Sequence, residues 1–570
     1  MAGQERNDKN TSHMKSLKFL CILLALSAGL SLSAQPPRRA IPEEIVFSVS
    51  SPRNDLSGRV GFTAPTFLVY PDAKLSREQA DKLVSELGLP ALQEEYGGTV
   101  MVVAPKGTAW NDAADFEAYK NVIENFGAIS NLKLIAIGNG ATFVNKCVAP
   151  HAGMLAGIVT IGGKPSKIAA GAVPVPVYAA GKNAAKVAAA YKTLDGATLT
   201  SAEGRNAVYT NPEEELLRVV VNPDANASLS AIVADSWDAL LSRNYRYNNF
   251  GHTWYTGAKF EQYGAYELVS YPMFDRLGIE RNVVQEDVMG SGEKFLWYEY
   301  MPKAVLGAPK ASVPLVVLLH GHGNDPRTQS ETSGFVELAA KENFAVVEME
   351  WEGNGQPQMG YNGIEETIYF LLKKYPQIDP SRIYAEGLSA GSATATGLGI
   401  KKSYIFAAVG GHSAGIIPGM KHLGHSAESL INDATQKSGK ILMPYFSVTG
   451  TNDGVWFHEP SPAEQNSVWV AWKTYACLNG IPFPEKADFS TYPLFGVNLR
   501  DRGQVKTNKG EGIVVEYGRL YKDNMPLIQA NAIIDYGHWN FKPAADMMWE
   551  FFKLWSRDPK TKELKYHPAN

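Results

Sequence analysis

The chain has few cysteines, little net charge and few long apolar runs, and each shortage excludes a class of protein. Three cysteines in 570 residues exclude a disulfide-rich scaffold. The formal net charge is only −4, so the charge balance does not favour nucleic-acid binding. Hydrophobic residues make up 45% of the chain and charged residues 20%, which excludes an intrinsically disordered protein and indicates a folded globular one.

One long apolar run is present, at residues 14–34. Lysines open it, a leucine-rich segment follows, and small residues close it at Ala34, which is the pattern of a secretory signal peptide cleaved before Gln35. Elsewhere no run approaches the roughly 20 apolar residues of a membrane span. We therefore expect residues 1–34 to be removed, Cys21 to carry no lipid, and the mature protein to be secreted or periplasmic with no membrane span.

Strand and helix patterns alternate along the rest of the chain, twice in the same order. This alternation predicts an α/β fold with mostly parallel sheets flanked by helices. The length also exceeds what one hydrophobic core normally holds. We expect a first domain at residues 45–253, a connector with leading strands at 254–311 and a second domain at 312–560. Cys147 and Cys477 fall in different domains, where the patterns favour two buried thiols and leave a disulfide open.

The most informative motif is GLSAG, with Ser389 at its centre. The apolar strand pattern RIYAEG leads into it and a helix of small residues follows, so Ser389 is expected on a tight turn between a strand and a helix. Such an elbow exposes a serine hydroxyl as a nucleophile, and the two glycines make room for the turn. A second GxSxG motif contains Ser413, but it follows the end of a strand and Pro418 comes soon after. We predict Ser389 as the nucleophile.

A serine hydroxyl needs a histidine to take its proton and a carboxylate to orient that histidine. Asp453 follows the strand pattern MPYFSV and His538 follows NAIIDY, so the chain order is Ser, Asp, His. Either residue alone could have a local role: the carboxylate could organise its Thr-Asn-Asp-Gly turn, and the histidine could bond its own loop. Their joint order and context predict a triad of Ser389, Asp453 and His538.

Backbone donors for an oxyanion are predicted beside the triad. The segment HGHG at residues 320–323 follows the strand pattern VPLVVLL, where the N–H of His322 is expected to donate, and Ala390 after the nucleophile supplies the second N–H. Two histidines are fewer than the three or four ligands of a zinc site, so we expect no metal and no cofactor. His412 and Trp456 follow neighbouring strands and are candidates for a substrate pocket, with core packing as the alternative.

The first domain repeats the pattern of elements without this chemistry. In place of the nucleophile, the acid, the base and the HGHG segment it has, in that order, Asn139 or Gly140, Asn183, the segment Asp224 to Asn226, and Tyr70 to Ala73. Neither Asn139 nor Gly140 can act as a nucleophile. We expect a degenerate, non-catalytic domain that supports the second domain, forms a dimer surface or covers the active site as a lid.

The motifs LLHGHG, YAEGLSAG, GTND and YGHW, within residues 290–560, resemble those of α/β-hydrolase esterases of the polyhydroxybutyrate depolymerase-like group, which includes feruloyl and acetyl-xylan esterases. The resemblance implies an α/β-hydrolase fold, hence tandem domains of this type, and ester hydrolysis through an acyl-enzyme on Ser389, Asp453 and His538. The sequence differs from that group in lacking cysteine pairs and a Thr/Ser-rich linker to a polymer-binding domain, and in carrying the additional first domain.

The sequence thus predicts a secreted serine hydrolase whose partner is an ester substrate, small or carbohydrate-linked. The same triad order serves amidases and peptidases, so the sequence does not distinguish ester from amide substrates. A third interpretation, a non-catalytic binding protein in which both domains serve as scaffold, is disfavoured by the complete set of triad residues. The natural ester and the oligomeric state, a dimer included, stay open.

Overall fold

The computed structural model describes residues 42–53, 63–126, 131–169, 171–247, 260, 267–453, 466–488, 497–507 and 512–568. These residues belong to one compact unit, 41–570, which holds two large sheets. Two of the sequence predictions, the signal segment 1–34 and the pocket residue Trp456, lie outside the described residues. The predicted domain boundaries stay predictions.

The first sheet is built from residues before 222. Its strands are β1 Ile45–Ser51, β2 Thr66–Tyr70, β3 Gly98–Val103, β4 Leu132–Ile137, β5 Leu155–Ile161, β6 Val177–Ala180, β7 Leu199–Glu203, β8 Asn206–Thr210 and β9 Arg218–Val221. The helices that accompany it are α1 Arg77–Glu86, α2 Leu89–Tyr96, α3 Asp112–Phe126, α4 Gly138–Phe143, α5 Ala184–Asp195 and α6 Leu229–Ala239. Shorter helical turns lie at Val144–Val148, Ala149–His151 and Leu241–Arg243.

The second sheet and its neighbours occupy the rest of the chain. The strands are β10 Asn244–Tyr247, β11 Glu267–Ser270, β12 Ile279–Glu286, β13 Phe295–Pro302, β14 Val313–Leu319, β15 Ala345–Met349, β16 Ile378–Gly387, β17 Ala408–His412, β18 Lys421–His422, β19 His425–Ser426, β20 Tyr445–Gly450, β21 Arg500–Lys506, β22 Val514–Lys522, β23 Met525–Ile533, β24 Trp555–Arg557 and β25 Leu564–Tyr566. The helices are α7 Phe274–Leu277, α8 Lys303–Leu306, α9 Arg327–Thr332, α10 Phe335–Glu342, α11 Gly360–Lys374, α12 Ala390–Lys401, α13 Ala427–Gln436, α14 Ser467–Asn479 and α15 Pro543–Phe552.

The two large sheets have the same topology. The strand order is β1-β3-β2-β4-β5-β6-β9-β8-β7 in the first sheet and β12-β13-β15-β14-β16-β17-β20-β23-β22-β21 in the second. The six central strands of each sheet run parallel to one another, and antiparallel strands close both edges. The second sheet has one additional edge strand, β12. The predicted α/β class, with mostly parallel sheets flanked by helices, is confirmed.

Continuous apolar runs form the central strands because both faces of each sheet are covered. β14, with the sequence VPLVVLL, and β5, with LAGIVTI, are buried along their whole length. The edge hairpins are different: β7 is exposed throughout and β21 nearly so. An apolar-run criterion misses such strands, so the sequence patterns do not predict the hairpins of β7 with β8 and of β21 with β22.

Neither described cysteine forms a disulfide. Cys147 and Cys477 are both free and half-buried, so the disulfide left open by the sequence does not form and the thiols are less buried than expected. Across the described ranges, no helix combines the length and the apolar character that crossing a membrane requires.

The strand registers match the two strand-to-helix turns residue by residue. The last residue of β14 pairs with Gly387, and the last residue of β2 pairs with Ala136. Ser389 comes two residues after Gly387, and Gly138 comes two residues after Ala136. Gly138 is therefore the residue of the first sheet that is equivalent to Ser389. The sequence alignment puts the equivalent residue one or two positions later, and the register corrects it.

The glycine that follows each turn has the same surroundings in both sheets. A Cβ on Gly391 would lie closer than 3.0 Å to the carbonyl oxygen of Leu319, and a Cβ on Gly140 would lie as close to that of Tyr70. Both glycines therefore allow a helix to start directly against the neighbouring strand.

Gly140→Ala should destabilise the protein, because its Cβ would meet the carbonyl oxygens of Pro71 and Tyr70 closer than 3.0 Å. We expect the free energy of unfolding to fall by about 1–3 kcal/mol, the usual cost of overpacking a filled site. Gly107→Ala is the control, since its Cβ would meet nothing closer than 3.6 Å. Urea unfolding followed by tryptophan fluorescence measures both variants, and equal midpoints would contradict the close packing of this turn.

Candidate active site

Ser389 lies on a sharp turn between β16 and α12. Its φ and ψ are 58° and −119°, a left-handed conformation that is strained for a residue with a side chain. Two glycines make the turn possible, because a Cβ on either Gly387 or Gly391 would lie closer than 3.0 Å to the carbonyl oxygen of Leu319. The Ser389 N–H donates to the His412 carbonyl at 2.8 Å, which ties the turn to β17. The strand, turn and helix expected around Ser389 are all present.

The turns after β20 and β23 are held together by their backbones. The Asn452 N–H donates to the Tyr536 carbonyl at 2.9 Å. Gly450 permits this approach, because a Cβ there would lie closer than 3.0 Å to the same carbonyl oxygen. The first of these turns carries Asp453 and the second carries His538, so the backbone contact fixes how the two side chains approach one another.

Ser389, His538 and Asp453 form a chain of two hydrogen bonds. His538 Nδ1 lies 2.8 Å from Asp453 Oδ2, and His538 Nε2 lies 2.9 Å from Ser389 Oγ. If the carboxylate accepts the Nδ1–H, Nε2 is left to accept the serine proton. The Asp453 side chain is fully buried and that of His538 is 16% exposed, so the acid is shielded from water while the base reaches the surface of the site. The fold brings together the three residues that the sequence predicts as a triad.

His412, predicted as a pocket residue, lies beneath the triad instead. Its side chain is buried, the Phe541 N–H donates to its Nε2 at 3.2 Å, and its Nδ1–H donates to Ser413 Oγ at 2.9 Å. Burial lowers the pKa of His412 to about 3 against the opposing effect of Asp453, so the ring is neutral. The burial of the ring favours core packing, the alternative to the predicted pocket role of His412. Ser413 is buried with it, so its hydroxyl is not exposed as a nucleophile requires.

The predicted oxyanion donors belong to two segments that flank Ser389. A Cβ on Gly321 would lie 3.6 Å from the Cβ of Ser389, so the segment containing His322 runs beside the nucleophile. On the other side, α12 begins at Ala390. The N–H of a first helical residue has no partner inside the helix, which leaves it available to a ligand.

Glutamates after β15 anchor the histidine segment. Glu352 accepts the Gly323 N–H at 2.7 Å and pairs with the His322 ring. His320 Nε2 lies 3.3 Å from Glu350 Oε1. Burial alone would lower the pKa of His320, but Glu350 raises it to about 9, so this ring is positively charged at neutral pH. Within the described ranges, no group of three or more His, Cys, Asp or Glu side chains is arranged to hold a metal ion.

Two further carboxyl groups are buried behind the triad. Glu348 on β15 and Glu386 on β16 flank Leu318 of β14 in register. Glu348 accepts the N–H groups of Gln329 at 3.1 Å and Ser330 at 2.7 Å, and Glu386 accepts the Gln329 amide at 2.8 Å. Burial raises the pKa of Glu386 to about 8, so the group is mostly protonated at neutral pH. The sequence signal that could have indicated both buried carboxyl groups is a single glutamate within an apolar segment, AVVEM for Glu348 and IYAEG for Glu386.

At the equivalent turn of the first sheet, Gly138 takes the place of Ser389. Its φ is 56°, close to the 58° of the serine. Asp72, from the segment after β2, fills the space above it. The Asn139 N–H donates to Asp72 Oδ1 at 2.6 Å, and a Cβ on Gly138 would lie closer than 3.0 Å to the same atom. Asp72 thus binds the N–H that corresponds to that of Ala390, and the alignment of Asn139 with the nucleophile is wrong by one residue.

The other first-sheet counterparts make local contacts. Asn183 precedes α5 with a φ of 71°, and its amide donates to the Gly163 carbonyl at 3.4 Å. Asp224 pairs with Arg205 at 3.2 Å and accepts the Asn226 N–H at 3.0 Å. These side chains organise turns and a surface ion pair.

Asn540 is a residue near the triad that the sequence patterns missed. It lies two positions after His538, is buried, and bonds Gln329 and Thr332 on α9. The available signal was an amide two residues after the predicted histidine, in the segment YGHWN. Such a signal is weak without knowledge of what faces it.

No protein-family model and no curated protein matches this chain. It is similar to many solved structures, among them three that cover about half of it. They are an S-formylglutathione hydrolase from Agrobacterium tumefaciens (13% identity, 48% of this chain and 95% of that chain, TM-score 0.33), a feruloyl esterase module from Clostridium thermocellum (15%, 52% and 92%, 0.32) and an acetyl xylan esterase from Aspergillus awamori (14%, 48% and 99%, 0.30). At these values the likeness carries no activity or residue role to this chain.

Glu386→Gln should change how stability depends on pH. The pKa of Glu386 is about 8 in the folded protein, against roughly 4.3 in an unfolded chain. The stabilisation from the bound proton is therefore complete below about pH 4 and is lost as the pH rises through about 8. Between these values the wild type should lose up to about 1.4 kcal/mol of unfolding free energy per pH unit relative to the variant. Urea unfolding across this pH range measures the difference, and parallel curves would contradict a buried neutral carboxyl.

A serine placed at Gly138 should not become a nucleophile, because its side chain would meet Asp72. In a Ser389→Ala background, neither Gly138→Ser nor Asn139→Ser should react with a fluorophosphonate probe. Gly138→Ser should also be less stable than Asn139→Ser by about 1–3 kcal/mol, since only Gly138 has a left-handed backbone. Probe labelling and thermal unfolding measure the two effects, and a labelled variant would show that Asp72 does not close this turn.

Proposed function

We propose that the protein is a serine hydrolase that cleaves carboxylic esters through an acyl-enzyme. The observation that carries this proposal is the pair of hydrogen bonds in the triad, 2.9 Å from Ser389 Oγ to His538 Nε2 and 2.8 Å from His538 Nδ1 to Asp453 Oδ2. A serine hydroxyl becomes an effective nucleophile when a histidine removes its proton and a carboxylate holds that histidine in the right tautomer. The elbow supports the same role, because a turn of this kind exposes a serine at the end of a sheet.

The proposed reaction has two halves. In the first, His538 takes the proton of Ser389 while Oγ attacks the ester carbonyl carbon. The protonated His538, stabilised by Asp453, then gives this proton to the departing alcohol, and the acyl group stays on Ser389. In the second half, His538 takes a proton from water, which attacks the acyl-enzyme. The carboxylic acid leaves and Ser389 regains its proton from His538.

The negative charge on the carbonyl oxygen needs donors, and we assign this role to the N–H groups of Ala390 and His322. Ala390 opens α12, where the helix dipole favours a negative charge. The contact of Asp72 with Asn139 supports the assignment independently. In the first sheet, the N–H that corresponds to that of Ala390 binds a carboxylate oxygen at 2.6 Å.

We also propose that the first sheet is a degenerate copy of the second. The same strand order and a similar positive φ at the equivalent residue support a common origin. In the first sheet this turn carries Gly138 without a side chain, and Asp72 fills the space instead. The copy would retain the backbone of a hydrolase without its nucleophile.

Small or carbohydrate-linked esters are the proposed substrates, on the resemblance of the motifs to polyhydroxybutyrate depolymerase-like esterases. Secretion or a periplasmic location is proposed from the signal-peptide pattern at residues 14–34.

Ser389→Ala should abolish hydrolysis of p-nitrophenyl esters, with kcat falling by a factor on the order of 10⁶. Ser413→Ala is the matched control from the second GxSxG motif and should keep kcat within about threefold of the wild type, because Ser413 is buried. A fluorophosphonate probe should label the wild type and the control once each, and Ser389→Ala not at all. Label on Ser413 would contradict the choice of nucleophile.

Two additions to this experiment test the triad and the substrate class. His538→Ala should lose nearly as much activity as Ser389→Ala, and the double variant little more, because triad residues act as a unit. If the fold losses in kcat of the two single variants multiplied in the double variant, the two residues would act in separate steps. Aminoacyl p-nitroanilides, assayed beside the esters, separate ester from amide hydrolysis.

A further inference from the structure

The loop that carries His538 is bound to the short helix α9. Asn540 donates its amide to Gln329 Oε1 at 2.8 Å and to Thr332 Oγ1 at 2.7 Å, and it accepts the Gln329 amide at 3.3 Å. Asn540 is buried, so water does not compete for these bonds. Because Asn540 lies two residues after His538, a shift of α9 would move the histidine.

Helix α9 depends on its surroundings for its position. It has only six residues, too few for a helix that is stable by itself. On the sheet side, Glu348 accepts the N–H groups of Gln329 and Ser330, and Glu386 accepts the Gln329 amide. These bonds fix the helix to β15 and β16, and all residues from Thr328 to Thr332 are buried.

The first part of the chain holds α9 from another side. Arg53 makes a bidentate ion pair with Glu331, from its two terminal nitrogens to Oε1 at 2.5 Å and Oε2 at 2.8 Å. Thr63 also donates to this carboxylate, and Tyr271 donates to it at 2.5 Å. Arg53 follows β1 and Thr63 precedes β2, so both are attached to strands of the first sheet.

The buried ion pair is a strict geometric constraint. The side chains of Arg53 and Glu331 are 8% and 3% exposed. Burial alone would raise the pKa of Glu331, but Arg53 overrides it and holds the pKa below its ordinary value. A bidentate pair fixes direction as well as distance. If α9 turned or slid, it would leave an uncompensated buried charge, which is costly.

We propose that Glu331, Gln329 and Asn540 are positioning residues through which the first sheet, by way of Arg53, sets the orientation of His538. The connection runs from Arg53 to Glu331, along α9 to Gln329, across to Asn540 and along the backbone to the histidine. This gives the first sheet a part in catalysis that differs from a lid. The inference rests on the proposed function, because it requires His538 to act as the general base.

The size of the effect follows from the geometry of proton transfer. Misplacing a catalytic group by about 1 Å costs up to about 100-fold in rate. A positioning defect should appear in kcat and leave KM nearly unchanged, because none of the positioning residues is assigned to the substrate.

The test uses the full-length protein and p-nitrophenyl butyrate. One variant combines Arg53→Met with Glu331→Gln, which removes both charges of the pair and keeps an acceptor for Tyr271. The other is Asn540→Ala. Each should lower kcat by about 10- to 100-fold with KM within about threefold of the wild type. Because both changes break the same connection, the combined variant should lose little more than the worse of the two.

Lys374→Met with Glu299→Gln is the matched control. Glu299 is also a buried carboxylate that accepts from a basic residue, Lys374 at 2.8 Å, and from a tyrosine, Tyr375 at 2.6 Å, but it lies on β13 and bonds no residue of α9. This control should keep kcat within about threefold of the wild type, since it removes a buried carboxylate and its partly exposed lysine partner without touching the connection. Urea unfolding establishes that every variant is folded under assay conditions.

Three results would overturn the proposal: folded variants with wild-type kcat, losses that multiply in the combined variant, or a control that loses as much as the Arg53 and Glu331 variant. Should that variant fail to fold, Arg53→Lys replaces it, since lysine keeps a positive charge beside Glu331 but loses the bidentate geometry that fixes the direction of the pair. Failure of the proposed function is recognised separately, because Ser389→Ala and His538→Ala would then retain ester hydrolysis.

Discussion

The strained backbone of Ser389 is the constraint on which the rest of the site depends. A residue with a side chain stays at a φ of 58° only where its surroundings hold it there. Here Gly387 and Gly391 let β16 and α12 pack against the carbonyl of Leu319, and the His412 carbonyl binds the serine N–H. This turn determines where α12 starts and where the serine hydroxyl lies. The loops after β20 and β23 then place His538 within hydrogen-bond reach of that hydroxyl and Asp453 within hydrogen-bond reach of His538.

The equivalent turns of the two sheets have a similar φ but carry different residues, Ser389 in the second sheet and Gly138 in the first. Gly138 takes the left-handed conformation without the strain that Ser389 carries, because glycine has no Cβ. Asp72 then satisfies the N–H of Asn139 that would otherwise be open to a ligand. The first sheet therefore has an internally bonded turn without a side chain where the second has the half-buried Ser389. Of these two turns, only the one that carries a hydroxyl has a strained backbone.

Buried polar groups link the two sheets to the loop of His538. Carboxyl and amide groups in an apolar interior are unfavourable unless each finds a partner, so a network of them tolerates few arrangements. Around α9, Glu331, Glu348 and Glu386 all find partners, from the first sheet, from the helix backbone and from Gln329. The result is a rigid support for the loop of His538 that no continuous secondary-structure element provides.

The sequence by itself determined the fold class, the alternation of strands and helices along the chain and the strand-turn-helix context of Ser389, because apolar runs and glycine spacing are local properties of the chain. It also singled out Asp453 and His538 by their order after successive strands. Only the tertiary structure decided that Gly138 rather than Asn139 matches Ser389, because register is set by hydrogen bonds between strands. The burial of His412 and the pairing of Arg53 with Glu331, 278 residues away, were likewise decided by packing, since contacts between distant segments leave no periodic trace in the sequence.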